Sequence, residues 1–174
     1  MANTAPILES DRFHLRLFRD SDVGALAAMY ADPEVMRYMK GPRPREIAEK
    51  NIQSFAECYE KSGFTLLAVE SKATREVVGR VGLWPLEQTD EVELGYLIAH
   101  SHWGQGIATE TAAACLDDGF RRLCLPYIAA ICAHENKASS RVMQKLGFQF
   151  VGPARFYDTD VLYHRLDRGP QYGG

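Results

Sequence analysis

The residues best suited to chemistry run His102-Trp103-Gly104-Gln105-Gly106-Ile107-Ala108-Thr109-Glu110. They follow an apolar, strand-like run from Val92 to Ile98 and open a helical pattern that continues to about Leu123. At a strand-to-helix turn the first backbone N–H groups lack partners and the helix dipole is positive, so an anion such as pyrophosphate is stabilised there. Gly104 and Gly106 carry no Cβ, which lets a phosphate oxygen reach the main chain and lets the loop use positive φ. Glycines at such a turn also serve plain structure, so the rest of the chain must decide.

Other reactive side chains point elsewhere or nowhere. His100 and His102 form a spaced pair, but no third ligand stands nearby in sequence, and no metal site is expected. Cys58, Cys115, Cys124 and Cys132 make no C-x-x-C pair and fall within apolar patterns, which reads as buried thiols in a reducing, cytoplasmic compartment. The net charge of −3 and the absence of a Lys/Arg run argue against binding nucleic acid. No apolar stretch reaches membrane-spanning length, and Met1 to Pro6 lacks the apolar core of a signal peptide.

The elements that must position the loop alternate along the chain. Phe13, Leu15 and Leu17 alternate with polar residues in a first strand, and Asp20 is expected to cap a helix bearing Val23, Leu26, Ala27 and Tyr30. Asp32-Pro33 stops it. Pro44 opens a longer helix with Ile47, Ala48, Ile52, Phe55 and Tyr59 inward, ended by Gly63. Strands follow at Phe64 to Glu70, Val77 to Leu83 and Val92 to Ile98. The glycine-loop helix is stopped by Pro126, and Tyr127 to Ala133 reads as a covered strand. A short helix, Ala138 to Leu146, ends at Gly147, and strands at Phe148 to Gly152 and Val161 to Leu166 finish the sheet; Gly169 to Gly174 are expected to fray. At 174 residues, without a linker, a repeat or a low-complexity segment, residues 1–174 read as one mixed α/β domain.

Three motifs in order carry a family resemblance. They are Val92-Glu93-Leu94-Gly95-Tyr96-Leu97-Ile98, then Trp103 to Ala108, then Asn136-Lys137-Ala138-Ser139-Ser140 with Lys145-Leu146-Gly147-Phe148. From about residue 8 to 167 the chain resembles the GNAT acetyltransferase superfamily. With its opening Ser10 to Arg16 and its Ala31 to Met36 turn, it resembles the branch of ribosomal-protein N-terminal (alanine/serine) acetyltransferases. The resemblance implies a mostly antiparallel sheet of about six to seven strands with about four helices, the fourth and fifth strands splayed apart. It implies acetyl transfer from acetyl-CoA directly to an amine, without a metal.

Site residues follow from the same resemblance. Trp103, Gly104, Gln105, Gly106, Ile107, Ala108 and Thr109 would cradle the pyrophosphate. Glu110 would partner the helix dipole as a surface residue. The main chain of Leu97 and Ile98 would hold the pantetheine arm and polarise the thioester carbonyl, and Asn136 would anchor the thiol end, although it suits a helix cap equally. Glu93 is the candidate base, Ser139 the candidate partner of the departing sulfur, and Tyr157 a third candidate on the acceptor side. Met143 stands where many members place a tyrosine that protonates the thiolate, and Trp103 stands where many carry Arg or Gln.

The expected acceptor is the α-amine of a protein or peptide N-terminus. A small amine of aminoglycoside or polyamine type is the alternative, and a non-catalytic acyl-CoA-binding module the rival outside enzymes. The assembly is expected to be a monomer or homodimer.

Overall fold

The computed structural model describes residues 5–172. Met1 to Thr4, part of the leader reading, and Gly173 and Gly174 lie outside them. The chain alternates strands and helices as β1 (Leu8–Glu9), β2 (Phe13–Arg16), α1 (Val23–Ala31), α2 (Arg45–Ser62), β3 (Leu66–Ser71), β4 (Val77–Pro85), β5 (Val92–Ile98), α3 (Ile107–Arg121), β6 (Tyr127–Cys132), α4 (Lys137–Lys145), β7 (Gln149–Phe156) and β8 (Thr159–Asp167). One sheet of eight strands takes the order β1-β2-β3-β4-β5-β6-β8-β7.

Every neighbouring pair is antiparallel except β5 and β6. These two run parallel and are in register only at Glu93 and Ala129. Beyond that point they part, and a sheet that is closed elsewhere opens at its centre. The splayed strands are therefore the fifth and sixth. The two-residue β1 carries too little pattern to be read from sequence, which shifts the count by one.

Strand alternation sorts the apolar residues onto two faces. Leu83, Leu94 and Ile98 pack with Ala112, Leu116 and Phe120 of α3 on one face. Leu66, Ala68 and Leu97 pack with Leu26 and Tyr30 of α1 and with Ile52 and Phe55 of α2 on the other. Gly63, at φ 73°, closes α2 as the sequence suggests, its N–H bonded to the Tyr59 carbonyl. Gly147, at φ 88°, follows the end of α4 in the same conformation.

Several local expectations change. Asp20 lies in a short 3-10 turn and caps nothing; Asp22 accepts the Arg19 N–H at 2.7 Å and pairs with the buried Arg16 guanidinium. Cys124 is exposed, because α3 ends at Arg121 and Cys124 sits beyond it at φ 54°. β7 continues through Pro153 to Phe156, since an edge strand tolerates a residue without an N–H. Pro170–Tyr172 forms a turn, and the Tyr172 ring docks 4.9 Å from that of Phe120, so the segment up to Tyr172 is packed on the domain.

Candidate active site

The glycine loop has the geometry its composition suggests. Gly104 and Gly106 take φ of 75° and 74°, the left-handed region that glycine enters without strain, and Gly106 is the N-cap of α3. Among the described residues, the amides from Gly104 to Thr109 find no acceptor in the protein. A Cβ built on Gly104 would meet nothing within 4 Å. The result is a row of free donors at the positive end of a 15-residue helix, with open space above it. This donor set fits a pyrophosphate.

The loop is braced from both sides. The Trp103 indole N–H donates to the Ile98 carbonyl at 2.8 Å, and its ring lies 4.5 Å from that of His100. Glu110 is a brace as well, and not the surface residue expected. Its carboxylate accepts from Ser10 Oγ (2.7 Å), the Arg12 amide (2.9 Å) and Arg12 Nε (2.7 Å). Arg12 Nη2 in turn donates to the Gln105 carbonyl at 2.9 Å. These bonds hold the Glu110 carboxyl below its ordinary range against the opposing effect of burial.

Main-chain groups in the cleft between β5 and β6 follow from register. Ala99 N–H bonds to Val78 on β4, and antiparallel pairs alternate, so Leu97 faces Arg80 on β4 with its N–H and C=O. Tyr96 and Ile98 turn theirs toward the gap. Of the two residues expected to offer main chain there, Ile98 turns its N–H to the gap while its carbonyl accepts from Trp103, Leu97 is paired with β4, and Tyr96 also faces the gap.

Tyr96 matters for its side chain too. Its hydroxyl lies 2.7 Å from Ser139 Oγ and 3.2 Å from the Ser139 carbonyl. Burial pushes this phenol up to about 12, so it keeps its proton across the physiological range. Met143 is buried in the core at 1% exposure and offers no proton. Tyr96 and Ser139 thus form the polar pair at the mouth of the gap. Asn136 caps α4, its Oδ1 accepting the Ser139 N–H at 3.1 Å, and among the described residues its side-chain NH₂ has no acceptor.

Glu93 lies on the opposite face of β5, where strand alternation places it. It is 8% exposed, and Tyr157 Oη donates to its Oε1 at 2.5 Å. Burial raises the carboxyl to about 7, against the lowering effects of Tyr157 and the Arg80 charge and with help from Glu87. Tyr157 reaches it from the tip of the β7–β8 hairpin, where Tyr157 and Asp158 both take positive φ, as two-residue hairpin turns demand. Its amide donates to the Glu87 carboxylate. Glu93 and Tyr157, chosen separately from the sequence, stand together.

Three participants escaped sequence reading: Tyr96, Glu87 and Arg80. Arg80 had a signal. It interrupts Val77-Val78-Gly79-Arg80-Val81-Gly82-Leu83, a strand apolar on both faces. It is 7% exposed and makes no hydrogen bond or salt bridge among the described residues, its Nε fully buried. Its guanidinium carbon lies 6.0 Å from the Tyr30 ring centroid. A buried unpaired charge costs several kcal/mol of desolvation, which singles Arg80 out. Among the described residues no group of three His, Cys, Asp or Glu side chains is placed to hold a metal ion, and no helix is long and apolar enough to cross a membrane.

A sheet parted at its centre, an anion cradle at the adjoining helix and a buried carboxyl beside the gap stand together in this fold, an arrangement suited to acyl transfer. The family described as acetyltransferase (GNAT) domain matches residues 12–149, and the chain belongs to it. It is 36% identical over 155 residues to the uncharacterized N-acetyltransferase YoaA of Bacillus subtilis, covering 87% of this chain and 88% of that protein. An acetyltransferase from Agrobacterium tumefaciens superposes with a TM-score of 0.84 at 25% identity, over 95% of this chain and 96% of the other. The fold is shared with a ribosomal L7/L12 α-N-protein acetyltransferase in complex with coenzyme A, at TM-score 0.75 and 19% identity, over 91% of this chain and 95% of that one. The protein is an acetyltransferase.

Proposed function

We propose that this acetyltransferase, acting as one domain, moves an acetyl group from acetyl-CoA directly to the α-amine of a protein or peptide N-terminus. The observation that carries the reading is the buried Glu93 carboxyl, held by Tyr157 beside the gap and raised to about 7. Acetyl-CoA, when bound, supplies the activated acetyl thioester.

The amides from Gly104 to Thr109 bind its pyrophosphate, with Trp103 bracing the loop, and the main chain of Tyr96 and Ile98 orients the arm. One oxyanion donor at the thioester carbonyl is worth about 2.7–4 kcal/mol in the transition state. Glu93, half ionised at neutral pH and increasingly ionised above it, takes the proton from the attacking amine, directly or through one water, at its Oε2. Ser139 donates to the departing sulfur and is held in place by Tyr96, while the Asn136 NH₂ contacts the arm.

The base strength fits the acceptor. An α-amine titrates near 7.7–8.0 and a lysine near 10.4, so proton transfer to a carboxylate of about 7 is uphill by about 1 kcal/mol for the first and nearly 5 for the second. Glu87 beside Glu93 favours a second reading, a small polyamine. The buried Arg80 cation, close enough to influence Glu93, opposes a polycation there.

A CoA-release assay over alanine- and serine-initiated peptides, polyamines and aminoglycosides tests the assignment. Turnover on the peptides is expected, and turnover confined to polyamines or aminoglycosides would replace it.

A further inference from the structure

Beyond its electrostatic pull on Glu93, Arg80 has no part in the chemistry described, yet it is a cation more than nine-tenths buried that makes no hydrogen bond or salt bridge among the described residues. The charged partners of comparable residues are obvious: Arg16, also buried, is held by Asp22 and Glu70 at 2.7 Å each. Arg80 stands opposite Leu97 in the β4–β5 register, and Glu93 stands opposite Trp84 four residues along the same strand pair. Alternation puts Arg80, Leu97, Glu93 and Trp84 on one face, the face covered by α1 and α2. Tyr30, anchored by Asn51 Nδ2 at 2.8 Å, walls the guanidinium on that side. A buried cation thus stands on the same face of the sheet as the base and near enough to act on its charge, so an acceptor oxygen placed between the two would satisfy its unused donors.

We propose that Arg80 is the acceptor-binding cation of this enzyme, taking the oxygen carried by the carbon next to the amine-bearing carbon. In a peptide N-terminus that oxygen is the first carbonyl, and in a free amino acid it is the carboxylate. Recognition of this unit restricts the enzyme to α-amino acyl acceptors, and lysine side chains and simple amines lack it. The inference rests on the α-amine reading above.

The test compares wild type, Arg80→Met and Arg80→Lys on an alanine-initiated tripeptide amide, on alanine and on isopropylamine, which has no such oxygen. Rates are read at about pH 9, where Glu93 (raised only to about 7) is ionised in all three proteins and its response to the lost charge drops out. The kcat/KM ratio of peptide amide to isopropylamine is expected to fall at least tenfold in Arg80→Met, through KM, with partial rescue in Arg80→Lys. The alanine arm distinguishes carboxylate from carbonyl recognition. An unchanged ratio would overturn the proposal, because a structural arginine affects every acceptor alike. An undiminished rise in melting temperature with CoA verifies that the variants are folded. If wild type acetylates none of the three, the α-amine reading fails on its own. The inference is then decided by calorimetric titration of the peptide amide into CoA-saturated protein, where equal affinity in wild type and Arg80→Met would reject it.

Discussion

Tyr157 Oη donates to Glu93 Oε1 at 2.5 Å, joining the tip of a hairpin near the C-terminus to the strand at the centre of the sheet. The bond occupies one carboxylate oxygen and leaves the other for the acceptor. It also stabilises the ionised form, in opposition to burial.

Tyr157→Phe should therefore raise the Glu93 carboxyl further above 7. Hydrogen bonds to charged groups contribute about 1.5–3 kcal/mol, so the acidic limb of the kcat/KM profile should move up by about one to two pH units. A pH–rate series on one peptide acceptor measures this. A fall in rate with an unmoved limb would show Tyr157 acting on the acceptor instead.

Glu93→Gln should act on catalysis and stability with opposite signs. Turnover should fall most near pH 7 to 8, where Glu93 is ionised and much of the amine is still protonated, and recover partly toward pH 9; general-base effects run to about 10²–10⁴-fold. In the folded protein Glu93 holds its proton up to about pH 7, against 4.5 ordinarily. Its raised pKa gives stability that is complete below about pH 4.5 and lost as pH climbs to 7, a change on the order of 3 kcal/mol. Urea unfolding at pH 5 and pH 8 should show wild type losing stability relative to Glu93→Gln over that interval.

Acetyl-CoA should raise the melting temperature, since a ligand at 100 times its dissociation constant adds about 2.7 kcal/mol. Gly106→Val should abolish most of that rise, because valine is strained at φ 74° and its branches would stand over the amides. The Gly106 Cβ position is uncrowded, its nearest neighbour being Arg12 Nη2 at 4.0 Å, so the fold should survive. Thermal shift and calorimetry on the same sample separate the two effects.

Ser139→Ala should slow turnover by about 10²-fold at every pH, since assistance to the leaving sulfur does not depend on the amine's ionisation. Tyr96→Phe should give a smaller loss of the same pH-independent form, acting through Ser139. Single-turnover measurements of CoA release check both, and a loss confined to low pH would contradict the role.

The residues whose chemistry depends on neighbours in sequence were legible before any coordinates. The glycine loop, the Gly63 and Gly147 terminators and the alternation that sets Glu93 apart from Leu94 all obey local rules. What escaped depends on strand register. That Leu97 spends its main chain on β4, and that Tyr96 reaches Ser139, follow from pairings fixed only by the folded sheet. The apolar pattern ends β7 at Gly152, whereas in the folded sheet its edge position lets it run on through Pro153 to Phe156. The sequence separation of 98 between Arg12 and Glu110 hid the brace on the cofactor loop, and Glu110 accordingly reads as a surface residue.

That brace bears on how the protein is made. Ser10 and Arg12 leave the ribosome well before Glu110, and such distant pairs form late because loop closure must precede them. A nascent chain holding the first five strands would have the tether without the loop it steadies. Coenzyme binding should then begin only once α3 has docked on the tether, which leaves earlier intermediates to fold without help from the ligand.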